Sequence, residues 1–267
     1  MRHGPWAVVV GASDGIGLAF AEELARRGIN LVLVARRRAL LEDVAGRLPV
    51  DVRVATMDAA TPDGIAAIAG SPEDIGLVVC NAALGPVGPY LSLTPAELDA
   101  MIDLNCRSAA HLAHAFGTRL VARGRGGIVL LGSMAGNQGS ALVAHYAATK
   151  AYLRVLAEGL WAEWGPLGVD VLASCPGLVR TPTYQRTGAG PAGRLVPAPM
   201  EPAAVVRETL AALGNRPVII PGRWNRLAFA GARLLPRRRL IAAVSARTER
   251  MYRTGSRRPA PGAEAGG

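Results

Sequence analysis

Short apolar runs alternate with helix-period segments almost to the end of this 267-residue chain, and that rhythm restricts the fold more than any other feature. The runs Trp6–Val10, Asn30–Ala35, Asp51–Met57, Leu77–Asn81, Gly127–Gly132, Val169–Cys175 and Pro217–Ile220 read as strands. Several are continuous and rich in β-branched residues, the pattern of strands covered on both faces. Between them Gly15–Arg27, Ala39–Arg47, Pro95–Arg123, Val143–Trp164 and Pro202–Leu213 carry helical spacing, with Pro95–Arg123 one long helix or two nearly joined. Such alternation requires right-handed crossovers, so the expectation is a single α/β domain built on a doubly wound parallel sheet of about seven strands.

Composition narrows the function. Net charge is +10, but twelve arginines and a single glutamate lie between Asn215 and Arg258, leaving eighteen basic against nineteen acidic residues elsewhere. The body is neutral and no nucleic-acid reading module accompanies the charge, so nucleic-acid binding is not expected. Cys80, Cys106 and Cys175 have no metal-ligand spacing and read as reduced thiols. His111 and His114 share a helix face but lack a third ligand, so no metal site is expected. The first strand begins almost at once without a signal-peptide pattern, and no apolar run is long enough to span a bilayer; a cytoplasmic protein is the expectation.

The first strand runs into Gly11-Ala12-Ser13-Asp14-Gly15-Ile16-Gly17, followed by a helix. Glycines let backbone approach a pyrophosphate, and a helix N-terminus supplies free N–H groups and a favourable dipole. After the second strand, where an NAD-binding unit places an acidic residue, the chain reads Arg36-Arg37-Arg38. A guanidinium there can clamp a 2′-phosphate, which favours NADP(H) over NAD(H), although at least one of Arg37 and Arg38 reads as simply solvated. Asp58-Ala59 and Asn81-Ala82 end the third and fourth strands, where an adenine and a ribose would be reached. Ser133 follows the fifth strand. Pro176, Gly177, Val179 and Thr181 follow the sixth, with Thr181 able to meet a cofactor carboxamide.

Of thirty basic side chains only Lys150 is a lysine. It stands four residues after Tyr146, so phenol and ammonium project from one helix face. Taken in order, these segments resemble the short-chain dehydrogenase/reductase (SDR) family in its compact single-domain subgroup, over about Pro5 to Gly222. The resemblance implies a Rossmann-like fold, hydride transfer between a nicotinamide and a carbonyl or secondary alcohol, and assembly as a homodimer or homotetramer. It matches Ser133, Tyr146 and Lys150 to the catalytic residues. It matches Asn105, in Leu104-Asn105-Cys106-Arg107, to a helix asparagine that binds a water relaying protons to Lys150. Cys80-Asn81-Ala82-Ala83 departs from the usual Asn-Asn-Ala-Gly but keeps the key asparagine. In this scheme Tyr146 exchanges a proton with the carbonyl oxygen, Ser133 orients the carbonyl, and Lys150 grips the nicotinamide ribose. Lys150 and the nicotinamide charge are also expected to lower the phenol's pKa from its ordinary value near about 10.

The implied organisation is a catalytic unit over 1–222 with a substrate loop at 182–202, a basic helical extension over 223–258, and a disordered tail over 259–267. Trp224 and several leucines among the arginines of the extension suit an interfacial helix on anionic lipid, kinked at Pro236. They suit, somewhat better, a helix pair that covers the substrate cleft or makes a subunit contact, with its arginines solvated. Were the lipid reading to hold, a ketoacyl or steroid-like carbonyl would lead as substrate. The rivals are an NAD-preferring alcohol dehydrogenase and a non-catalytic dinucleotide sensor or scaffold.

Overall fold

The computed structural model describes residues 3–188 and 197–253. Along the chain run β1 (Trp6–Val10), α1 (Gly15–Arg26), β2 (Asn30–Ala35), α2 (Arg38–Ala45), β3 (Val52–Thr56), α3 (Pro62–Ala69) and β4 (Ile75–Cys80). They are followed by α4 (Pro95–Ile102), α5 (Ser108–Arg123), β5 (Gly126–Leu131), α6 (Ala144–Trp164), β6 (Val169–Ser174), α7 (Pro182–Arg186), α8 (Pro202–Ala212), β7 (Val218–Ile219), α9 (Arg223–Ala232) and α10 (Arg237–Arg253). The strands form one seven-stranded parallel sheet in the order β3-β2-β1-β4-β5-β6-β7. This is the single-domain, Rossmann-like doubly wound fold.

The continuous apolar strands are explained by two cores. Side chains alternate across a strand, so Val8, Val10, Val32, Val34, Val78 and Ile128 face one way and meet Leu112 and Phe116 of α5 and Leu153 of α6. Their neighbours Ala7, Val9, Leu31, Leu33, Val79 and Val129 face the other and meet Phe20 and Leu24 of α1, Leu41 of α2 and Val206 of α8. Strand order reverses between β1 and β4, which opens a crevice beyond their carboxyl ends.

Three segments differ from the sequence expectation. The Pro95–Arg123 stretch is one continuous helical rod, but Asp103–Arg107 between α4 and α5 is a π-helical turn. Helix α3 was not expected, because eight residues containing Gly64 carry little helical signal. Yet Thr61 caps it by accepting from Gly64 N–H (3.1 Å), and a Cβ on Gly64 would collide with the Asp58 carbonyl. Part of the expected 182–202 loop is ordered, since Thr181 caps α7 and Val179 bridges Met200. Residues 189–196 of that loop and the 259–267 tail lie outside the described residues.

The C-terminal helices pack onto the body and break at Pro236. Thr248 of α10 hydrogen-bonds Ser140 (2.8 Å), and the Ser245 hydroxyl accepts from Ala141 N–H (3.0 Å). Arg226 of α9 pairs with Glu208 of α8 at 2.7 Å. No helix among the described residues is long and apolar enough to cross a membrane.

Candidate active site

The crevice begins at the turn between β1 and α1. Gly11 (φ +84°) and Gly15 (φ +58°) occupy the left-handed region that glycine tolerates. A Cβ on Gly17 would collide with the Gly11 carbonyl oxygen, so strand and helix can approach this closely only there. The Asn81 amide, at the end of β4, donates to that same oxygen at 3.0 Å. Ala12 is fully buried, whereas Ile16 packs at the edge of the second core. Asp14 precedes α1 but makes no side-chain cap; it turns to Arg37, 2.6 Å away. The first N–H groups of α1 therefore lack a side-chain partner and point at the crevice, a ready anion site. Thr181 lies above the turn, since a Cβ on Gly15 would come within 3.0 Å of its methyl. A narrow glycine cradle beneath an uncapped helix end fits a dinucleotide pyrophosphate.

Beside the turn, Arg37 also donates to the Ser13 hydroxyl at 2.8 Å, which sets its guanidinium over the loop. Arg36 is mostly exposed and reaches towards Asp58, 3.9 Å away. Asp58 in turn accepts from Ala60 N–H (3.0 Å), next to buried Ala59. Two cations thus stand at the end of β2 where the expectation placed them. Only Arg37 touches the glycine turn.

Helix α6 crosses the carboxyl ends of β5 and β6 and carries Tyr146 and Lys150 on one face. Lys150 is 3% exposed; its ammonium donates to the Leu131 carbonyl at 2.6 Å and lies 5.7 Å from the Tyr146 ring centre. Among the described residues no carboxylate pairs with it. Burial brings its pKa down to about 8, with the thiols of Cys175 and Cys106 pulling weakly the other way. Ser133, at the end of β5, accepts from Ala135 N–H (3.2 Å), and its hydroxyl faces the Tyr146 phenol. Gly136 lets that turn lie against the α6 backbone, because a Cβ there would meet the peptide of Lys150 within 2.6 Å.

In the protein alone, the part of the expected lowering of the phenol's pKa assigned to Lys150 is not seen. Burial pushes Tyr146 up; the Ser133 hydroxyl acts against it, and the nearby phenol of Tyr252 adds to it. The Lys150 ammonium, bonded to the Leu131 carbonyl, does not offset this in the protein alone.

Asn105 sits in the π-helical turn with 1% exposure. Its Oδ1 accepts from Leu84 N–H (2.8 Å), while Nδ2 donates to the Leu84 carbonyl (2.8 Å) and the Thr149 hydroxyl (3.0 Å). Thr149 then donates to the Tyr146 carbonyl at 2.8 Å. Both donors of the amide are spent on holding neighbours, and none points at Lys150. Pro176 accepts from Met134 N–H (2.9 Å), which ties the β6 exit to the Ser133 turn, and Gly177 abuts the amide of Asn225.

The short chain dehydrogenase family matches residues 5–191. The chain belongs to that family. This dehydrogenase is similar to the 7beta-hydroxysteroid dehydrogenase of Clostridium sardiniense, 30% identical over 90% of this chain and 94% of the relative. Among solved structures it is similar to a 7beta-hydroxysteroid dehydrogenase studied for its stereoselectivity (TM-score 0.83, 25% identity, covering 91% of this chain and 97% of the other). It is also similar to a short-chain dehydrogenase from Sphingobium yanoikuyae solved in complex with NADPH (TM-score 0.74, 32% identity, covering 86% and 95%).

Several residues of the dehydrogenase's crevice escaped the sequence reading. Gly85 packs its backbone on the Tyr146 ring, where a Cβ would approach within 2.8 Å; the Gly85-Pro86 pair was the available signal. Leu142 adopts φ +64°, rare for a branched side chain, and its carbonyl accepts from Gly88 N–H (2.9 Å) at the rim. Tyr252 of α10 reaches the same rim, within influence of Tyr146, Tyr184 and Thr187. Asn225 is 4% exposed, donates to the Pro221 carbonyl beyond β7 at 2.8 Å and abuts Gly177, which sets the start of α9 against the β6 exit. No pattern in the sequence linked Tyr252 or Asn225 to the crevice, because each acts across more than forty intervening positions.

The three cysteines are buried near this site. Burial pushes Cys80 to about 12 and Cys175 to about 11, and raises Cys106. Thiolate is the reactive form, so an aromatic disulfide reagent at neutral pH should label essentially no thiol in the native protein and all three after denaturation. Rapid labelling of a native thiol would contradict this packing.

Proposed function

We propose that this dehydrogenase is an NADP(H)-dependent carbonyl reductase, or the reverse alcohol dehydrogenase, acting on a bulky apolar ketone of steroid-like or ketoacyl type. One observation carries the reading: the Tyr146 phenol meets the Ser133 hydroxyl, and the buried Lys150 ammonium lies 5.7 Å from its ring centre, at the sheet edge beside the glycine turn. A bound nicotinamide would supply or accept the hydride. Gly11, Ser13, Asp14, Gly15, Ile16 and Gly17 would hold its pyrophosphate, Asp58, Ala59, Asn81 and Ala82 its adenosine side, and Pro176, Gly177, Val179 and Thr181 its carboxamide end. Arg36 and Arg37 support a 2′-phosphate, and hence NADP(H), because no carboxylate stands at the end of β2 to hold a bare ribose.

The chain's own groups then divide the work. Tyr146 keeps its proton through neutral pH and delivers it to the carbonyl oxygen in reduction. Ser133 orients that oxygen and donates to it as charge develops. Lys150 places a positive charge under the phenolate left behind and grips the ribose, a task for three rotatable donors rather than a planar fork. Asn105 is a positioning residue: through Thr149 it fixes the turn that carries Tyr146. The apolar substrate class is supported by a rim of Leu142, Tyr184 and Tyr252 and by similarity to hydroxysteroid dehydrogenases. The catalytic unit would span 1–222, with α9 and α10, the described part of the 223–258 extension, at its rim. The exposed Tyr152, Val155 and Trp161 along α6 support a homodimer or homotetramer of a cytoplasmic enzyme.

Three outcomes test this. Tyr146→Phe should lose about a thousandfold in turnover of a bulky ketone while NADPH fluorescence enhancement persists; near wild-type rates would end the proposal. Arg36→Ala with Arg37→Ala should weaken NADPH binding about ten- to a hundredfold and leave NADH binding unchanged, from the loss of charge-assisted hydrogen bonds. The third outcome is a pH profile. A lysine brought down to about 8 is charged below that pH and neutral above it, whereas a raised tyrosine stays protonated on both sides. Hence kcat/KM for NADPH in reduction, which reads the free enzyme, should be flat below about pH 8 and decline above it. In Lys150→Arg the rate should be lower but that decline absent, since a guanidinium does not titrate there.

A further inference from the structure

We propose that the elbow joining α9 to α10 docks onto an anionic lipid bilayer. Trp224 and Leu227 lie on one face of α9 by their spacing and are each 60% exposed, and Leu234, in the turn that follows α9, is 86% exposed. Leu235 and Ile241 extend the patch, also exposed. Large apolar side chains so fully presented to water are unusual for a packed helix pair. Around them stand Arg223, Arg233, Arg237, Arg238, Arg239, Arg247 and Arg250, all exposed. Arg226 is engaged by Glu208, and Arg237 donates to the Asn137 carbonyl. Among the described residues Arg238 and Arg239 have no carboxylate partner.

The combination selects the occupant. A second copy of this chain would set arginine against arginine across a two-fold contact, where like charges repel. A duplex nucleic acid would take the guanidinium groups but leave the tryptophan and leucines without an apolar partner. An anionic bilayer satisfies both: leucines and the indole enter the boundary between headgroups and acyl chains, while arginines stay with the phosphates. The elbow is also anchored in orientation. Asn225 at the start of α9 abuts Gly177, and Thr248 of α10 hydrogen-bonds Ser140, so both helices are held against the body beside the crevice rim that Tyr252 reaches. Docking would face that rim towards the membrane, where an apolar ketone partitions. The docking itself rests on the surface alone and does not depend on the proposed reaction.

The test is co-sedimentation of the full chain with vesicles of phosphatidylcholine alone and with about 30% phosphatidylglycerol. Binding should require the anionic lipid and weaken as salt is raised. Arg238→Gln with Arg239→Gln should lower the partition coefficient about 25-fold, near fivefold for each arginine. Leu234→Asp with Leu235→Asp should abolish binding, and both variants should keep the wild-type thermal midpoint. Three results would overturn the proposal: no sedimentation with anionic vesicles, equal binding to both vesicle types, or a smaller oligomer for Leu234→Asp with Leu235→Asp.

Discussion

One amide holds the crevice together. The side chain of Asn105 meets the Leu84 backbone in two opposed hydrogen bonds, as a neighbouring strand would, and spends its remaining donor on Thr149. The loop leaving β4, the joint of the long helical rod and the first turns of α6 therefore share one buried polar centre. Removing it would strand a buried N–H and a buried carbonyl, each at a cost of about 1–3 kcal/mol. The position of Tyr146 depends on this centre twice. Thr149 ties down its backbone, and the loop held by Leu84 brings Gly85 against its ring.

Above that clamp sits an ion that burial disfavours. A charged side chain out of water needs compensation, and Lys150 receives one carbonyl, from Leu131, and no carboxylate. The result is an ammonium whose proton is loosely held, close to a phenol whose proton is tightly held. An ordinary surface pair would have left both groups near their usual values. Lys150 is cut off from solvent while Tyr146 stays partly open, which leaves a bound partner free to reset the balance. The same burial makes the three cysteines unreactive, so the polar chemistry of the crevice is confined to hydroxyls, the amide and the ammonium.

The fold was legible because its signal is long-range in register but local in cause: continuous β-branched runs must be covered on both faces, and glycine must sit where β1 and α1 nearly touch. Tyr146 and Lys150 were legible because helical spacing alone puts them together. Helix α3 escaped because its glycine, needed for contact with Asp58, dilutes the helical pattern. A helix pair over the cleft was among the readings of the C-terminus, but the part of Tyr252 in it escaped for a different reason. Tyr252 meets Tyr146 only after the chain has turned at Pro236 and returned, and nothing in local pattern records that return. The effect of Lys150 on the phenol was misjudged because sequence shows that a cation is near but not where it points.

The π-helical turn at Asp103–Arg107 has a consequence for how the long rod can bury two faces in one direction. One line of buried positions along it runs through Met101, Asn105, Ala109, Ala113, Phe116 and Leu120, with Cys106, Ser108, Leu112 and Gly117 buried beside it. Successive steps of four residues advance about 400° in an α-helix, so three such steps would rotate the apolar stripe by about a third of a turn, out of contact. The wide turn takes up one extra residue and returns the stripe to phase. The irregularity therefore works as an angular correction, letting a polar asparagine occupy a core-facing position without turning the rest of the rod away from the sheet.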